Sequence, residues 1–279
     1  MTPHLKSENN HFLIQFEESL NSYLDAQGKS RLAESISYSL KSKGKRFRPF
    51  LSYLIMHAFN KSFDQARSWF LALEFIHTYS LIHDDLPCMD DDDYRRGILT
   101  NHKVYGEDIA LLAGDSLISE AFRIIAEDRS LTANTRIKLV QLLAKKIGPA
   151  GMVGGQVLDM QATKHIKIDE LKHLHLLKTG NLIQAAALGA AEILELSEDQ
   201  VNQVGIFSLH LGLSFQIKDD LLDFKSTEQD FKSYAHLLGL DNAKSEMIVH
   251  ADAAIAASKT ITNNQLLIDL IDYNLARKS

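Results

Sequence analysis

The stretch DQARSWFLALEFIHTYSLIHDD, residues 64–85, contains neither glycine nor proline and is apolar on most of its faces. Read as a helix capped by Asp64, it must be enclosed by protein on nearly every side. It ends in Asp84 and Asp85, and Asp90, Asp91, Asp92 and Asp93 complete six aspartates within ten positions. Most charge runs are solvated loops. This one starts where a core element stops, so the fold carries a central helix up to a crowd of carboxylates.

The rest of the chain is as sparsely punctuated. Four prolines and fourteen glycines in 279 residues leave room for long elements. The apolar pattern predicts helices near 11–27, 31–43, 50–60, 108–127, 133–147, 150–163, 168–192 and 198–224, with a break marked by Gly44 and Pro49. No linker, repeat or low-complexity run divides the chain, so one all-α domain over residues 1–279 is expected. One segment objects. In FSLHLGLSFQIK, Phe207, Leu209, Leu211, Leu213, Phe215 and Ile217 alternate with smaller or polar residues, the period of a buried strand. Its helical surroundings favour a helix, and the residues alone leave both open.

Bulk properties exclude some functions. A net charge of -6 argues against a general nucleic-acid binder. No apolar run approaches the length of a membrane span. The start, MTPHLKSENNHF, lacks an apolar signal core. The single cysteine, Cys88, excludes an internal disulfide and fits a reducing cytosol, so a cytoplasmic protein is expected.

A second acidic group, QIKDDLLD, also closes an apolar segment and supplies Asp219, Asp220 and Asp223. Two such clusters suggest a facing pair. On a helix Asp219 and Asp223 share a face about 6 Å apart, whereas Pro87 frees Asp84 and Asp90 from that spacing. Crowded carboxylates need a cation, and oxygen-only ligation suits Mg2+, which completes its shell with water and substrate phosphate. The basic residues Lys45, Arg46 and Arg48 of GKRFRP, with Arg95 and Arg96 just after the acids, make sense beside such a metal if the ligand is a diphosphate. His77 and His83 lie on the central helix, where a satisfied core histidine is the commoner meaning. GMVGGQVLDMQ adds Gln156 and Asp159, and HLLKTGNLI adds Lys178 and Thr179. The small residues Ala185–Ala187 and Gly189–Ala191 read as close helix packing.

GKRFRP, LIHDDLPCMDDDDYRRG, GGQVLDM, KTG and FQIKDDLLD occur in an order and spacing that resemble the head-to-tail trans-isoprenyl diphosphate synthases, from about residue 30 to about 240. The four residues between Asp85 and Asp90 are similar to the bacterial short-chain, farnesyl diphosphate synthase form. The resemblance implies the isoprenoid synthase fold, a bundle of long helices around a central cavity. It therefore implies a helix at 207–217, and it also implies a homodimer. Asp84 and Asp90 then match ligands for two Mg2+ ions with Asp85 as support, and Asp219 matches the ligand of a third, with Asp220 and Asp223 nearby. Arg95, Lys178 and Gln216 match contacts to an allylic diphosphate, with Thr179 beside them. Lys45, Arg48, His77 and Arg96 match the site for isopentenyl diphosphate. Tyr79, followed by Ser80, matches the position that stops chain growth near fifteen carbons. Small diphosphates are the implied partners, and farnesyl diphosphate synthesis is the implied activity.

One departure stands out. DDLLDFKSTEQDFKSYAHLLGL runs from the second acidic motif almost directly to Lys232-Ser233-Tyr234, without the Gly-Lys element usual in that family. Lys225 is a candidate substitute, and Lys232 matches a later lysine. The shortening supports a competing reading, a catalytically weakened homologue acting as a regulatory or partner subunit. A third reading is an all-α metal phosphohydrolase that uses His83 and Asp84 as a metal pair.

Overall fold

A computed structural model describes residues 1–224 and 232–278. In chain order its main elements are α1 (Pro3–Asp25), α2 (Arg31–Leu40), α3 (Phe47–Ala58), α4 (Arg67–Asp84), the strands β1 (Tyr94–Arg95) and β2 (Ile98–Leu99), then α5 (Asn101–Tyr105), α6 (Glu107–Glu127), α7 (Ala133–Ile147), α8 (Met152–Gln161), α9 (Ile168–His175), α10 (Asn181–Ile193), α11 (Glu198–Leu222), α12 (Tyr234–Leu238), α13 (Leu240–Ser258) and α14 (Gln265–Ala276). The two strands form one small antiparallel hairpin. The all-α expectation is met, and the alternating segment at 207–217 lies inside α11.

Local chemistry explains several boundaries. Ser197 caps α11 by accepting from the Gln200 N–H, while the Gln200 side chain accepts from the Ser197 N–H at 3.1 Å, a reciprocal capping box. Asp64 is not the cap of α4. It lies in a 3-10 turn, Phe63–Ala66, and pairs with Arg67. Nor does Pro49 break a helix. It is the third residue of α3, where its missing N–H would have no intrahelical partner anyway. The break precedes it, at residues 41–46. The helix expected over 168–192 is α9 and α10 joined by a π-helical turn, Leu176–Gly180.

The chain clusters into two compact units. The α4 unit comprises Asn9–Tyr53 and Phe63–Val140. Trp69, Phe70, Leu73, Phe75, Ile76 and Tyr79 of α4 are buried, as the apolar pattern predicts. Ala110, Ala113, Gly114, Leu117 and Ala121 recur on one buried face of α6, and the small size of all but Leu117 lets it lie close along α4. At Gly114 a Cβ would come within 2.1 Å of the His83 ring. Phe12 ties in α1 and α3, with ring centroids 5.4 Å from Phe50 and 5.2 Å from Tyr53.

The α11 unit comprises Met1–Glu8, Leu54–Ser62 and Gln141–Ser279. Here α11 packs mainly on α13, whose buried face is Ala243, Ala251, Ala254 and Ala257, and on α10. Ala185–Ala187, Ala190 and Ala191 are buried in α10, as close packing requires. Gly155 brings α8 against the π-helical turn, since a Cβ there would lie 2.3 Å from the Lys178 nitrogen.

Candidate active site

In the α4 unit the first acidic motif is a turn that closes on the helix end. Helix α4 stops at Asp84, and the Asp90 N–H returns to donate to the Asp84 carbonyl at 2.8 Å. This is the departure from helical spacing that Pro87 predicts. The Asp84 side chain is half-buried and Asp90 is exposed. Asp85 is buried, and Arg95 Nε donates to its Oδ1 at 2.5 Å. Burial pushes the Asp85 carboxyl up, against the pull of Arg95. Arg95 also reaches Asp92 at 3.3 Å. In this structure Arg95 therefore pairs with two acids of its own motif. Asp91, Asp92 and Asp93 are exposed, with Asp93 2.7 Å from Lys103.

The next residue faces elsewhere. Arg96 and Gly97 both have positive φ, 56° and 82°, and make the two-residue turn of the hairpin. The Arg96 guanidinium lies against Gly44, donates to Ser42 Oγ at 3.3 Å and sits 3.5 Å from His77 Nε2. Burial, followed by the charges of Arg48, Arg96, Arg46 and Arg95, holds the His77 pKa well below its ordinary value, so the imidazole is neutral. Arg48 and Arg96 thus form a second cationic group around the neutral His77, with exposed Lys45 next along the chain. Arg46 does not join it as a ligand-facing residue. Its side chain is buried and bound to Glu74, Glu17 and the Leu40 carbonyl.

Tyr79 is 5% exposed and meets the His83 ring edge-on at 5.7 Å, and burial pushes its phenol up to about 12. Ser80 Oγ donates back to the His77 carbonyl at 2.9 Å. His83 Nε2 lies 3.0 Å from the Leu111 carbonyl, with its ring on Gly114. This contact and the close fit on Gly114 hold the ring against α6. Among the described residues no three His, Cys, Asp or Glu side chains form a ready-made metal nest.

In the α11 unit Asp159 is the hub. Lys178 Nζ donates to its Oδ2 at 2.6 Å, and Lys232 Nζ lies 2.9 Å from its Oδ1. Burial would raise this carboxyl, yet the two lysines outweigh it and hold Asp159 below the usual range. Thr179 occupies the same π-helical turn as Lys178. One turn before Asp159, both amide atoms of Gln156 are buried without a hydrogen-bond partner among the described residues. Gln216 Nε2 donates to Asp220 Oδ1 at 3.0 Å, and Asp220 Oδ2 accepts from the Tyr234 N–H at 2.8 Å. Asp220 is therefore structural. Asp219 pairs with Arg277 Nη1 at 2.7 Å, and Arg277 stacks on Phe215 at 4.3 Å. Exposed Asp223 follows the last residue of α11, its N–H on the Asp219 carbonyl at 2.9 Å. Lys225 lies outside the described residues. Asp159 carried a weak signal, Glu74 a clear one as a lone acid inside apolar α4, and Arg277 none.

The chain is similar to known proteins along most of its length. The chain is 43% identical to farnesyl diphosphate synthase of Micrococcus luteus over 260 residues, 92% of this chain and 87% of that protein. It is 40% identical to farnesyl diphosphate synthase of Bacillus subtilis (strain 168), with 88% of each covered. A crystal structure of an FPP/GFPP synthase from Zymomonas mobilis matches 98% of this chain and 100% of its own, with a TM-score of 0.90 and 33% identity. The polyprenyl synthetase profile matches residues 29–265. With acidic turn, cationic group and lysine hub carried by the matched residues, the chain belongs to the polyprenyl synthetase family.

Proposed function

We propose that the protein is a head-to-tail prenyltransferase that condenses isopentenyl diphosphate with dimethylallyl or geranyl diphosphate to give farnesyl diphosphate. Its residues work as one catalytic domain in a cytoplasmic homodimer. The observation that carries this reading is the division of labour in the α4 unit. A carboxylate turn built on Asp84 and Asp90 suits a metal-bound diphosphate, and a separate cationic group built on Arg48 and Arg96 around His77 suits a diphosphate without metal.

The candidate ligands Asp84, Asp90, Asp219 and Asp223 offer only hard oxygen donors and fit Mg2+. When bound, about three such ions would supply neutralisation of the charge that grows on the leaving diphosphate. Asp85, buried and tied to Arg95, supports the turn. Lys178 and Gln216, with Arg95 and Thr179, hold the allylic diphosphate, and Lys178 and Lys232 are aligned by Asp159. As the allylic C–O bond breaks, its electron pair leaves with the diphosphate, and the cationic side chains stabilise it there. Lys45, Arg48, His77 and Arg96 orient isopentenyl diphosphate so that its double bond attacks the allylic cation. A neutral His77 hydrogen-bonds without adding charge. Loss of a proton from the new cation restores the double bond, with the departed diphosphate as the base. Tyr79 and Ser80 limit product length.

Purified protein given Mg2+, isopentenyl diphosphate and geranyl diphosphate should yield a fifteen-carbon diphosphate as the main product. Absence of condensation by folded protein would overturn the proposal, and release of phosphate from nucleotides would favour the phosphohydrolase.

A further inference from the structure

Glu74 lies in the middle of α4, among apolar residues, and is 1% exposed. An acid there needs a partner, and it has Arg46, whose Nη1 donates to Glu74 Oε1 at 2.7 Å. Arg46 is 4% exposed. Its Nε donates to Glu17 Oε1 at 2.9 Å, and its Nη2 donates to the Leu40 carbonyl at 2.7 Å. One guanidinium thus ties α1, the end of α2 and α4 together. Its own backbone has φ 46°, a left-handed conformation that disfavours arginine, so the three anchors hold the residue where it would not rest alone.

Stability does not account for this arrangement. Buried ion pairs lose most of their attraction to desolvation, and Glu74 Oε2 is buried with no partner among the described residues. Geometry does account for it. Residues 41–46 link α2 to α3 and end at the pinned Arg46. That link supplies Ser42 Oγ, which accepts from Arg96, and Gly44, against which the Arg96 guanidinium lies. Lys45 immediately precedes the anchor. Glu74 also stands three residues before His77 on one face of α4, and its carboxylate is close enough to act electrostatically on Arg96.

We propose that Arg46 and Glu74 are positioning residues that fix the 41–46 link, and with it the seat of the diphosphate that binds without metal, that of isopentenyl diphosphate. This rests on the prenyltransferase reading above. Neither side chain meets substrate. The pair acts through Lys45, Ser42 and Arg96, and it leaves the allylic substrate to other groups.

The test separates a binding effect from a folding effect by comparing the two substrates. Arg46→Lys keeps the charge but loses the three-way fork. It should raise KM for isopentenyl diphosphate about tenfold, with KM for geranyl diphosphate within about twofold. Glu17→Gln weakens one anchor at a half-exposed site and should give a rise of about twofold to threefold in the same KM alone. It decides the matter if Arg46→Lys does not fold. An unchanged KM for isopentenyl diphosphate, or equal changes for both substrates that follow a lowered Tm, would overturn the proposal. Titration of isopentenyl diphosphate without Mg2+ reads the same seat apart from turnover. A wild type that binds it but does not condense it would sink the functional reading alone, whereas an unchanged Kd in Arg46→Lys would sink this one alone.

Discussion

Asp159 shows what a single carboxylate can do in this protein. It accepts from two lysines that are 54 residues apart in sequence, Lys178 and Lys232. Its depressed pKa gives a signed prediction. Stability from such a group is complete above the ordinary carboxylate value, about 4, and is lost as pH falls through the lower folded value. Asp159→Asn should therefore lower Tm at pH 6, and the gap from wild type should close as pH falls below about 4. A gap that is constant with pH would show that the lysine pairs do not couple to folding. At neutral pH the same variant should lower kcat/KM for the allylic substrate by at least about tenfold, because both lysines lose their anchor. Such residues were the hardest to read from sequence. Motif spacing marks Lys178 and Lys232, but nothing along the chain says that one aspartate holds both. In GKRFRP, likewise, three cations look alike until Glu74 claims Arg46.

At the scale of elements, α4 is the most legible helix. Its apolar faces, its end at Asp84 and the turn after Pro87 all follow from side chains that have no other place to go. Tyr79 stands five residues before Asp84, roughly 7–8 Å deeper along the helix axis. Its ring packs edge-on against His83, and His83 is fixed to α6. If Tyr79 limits chain growth as proposed, Tyr79→Ala should lengthen the product beyond fifteen carbons. Product analysis by chain length checks it, and an unchanged distribution would show that Tyr79 is packing alone. Other elements were less legible for identifiable reasons. Alternation in 207–217 mimicked a strand because Gly205, Ser208 and Gly212 interrupt the apolar faces of α11. The π-helical turn at 176–180 leaves no mark in composition. The hairpin at 94–99 depends on Arg96 adopting a positive φ, which sequence alone does not announce.

At the scale of the whole molecule, net charge understates the electrostatics. The value of -6 spreads 36 acids and 30 bases over the chain, yet Asp84 to Asp93 and Asp219 to Asp223 concentrate carboxylates at the ends of two core helices. Part of that repulsion is already offset within the protein, by Arg95 at Asp85 and by Arg277 at Asp219. A metal-bound diphosphate would offset the rest, so it should stabilise the folded chain by linkage. At a hundred times its Kd, a ligand that binds only the folded state contributes about 2.7 kcal/mol. For a protein of this size that is a rise in Tm of about 5 °C or more. Mg2+ with inorganic diphosphate should therefore raise Tm by about that amount, while Mg2+ alone or diphosphate with EDTA should raise it much less. Asp84→Asn and Asp219→Asn should each diminish the rise. Equal stabilisation by diphosphate with EDTA would mean that the cationic groups bind the anion unaided, and the acidic motifs would then need a different explanation.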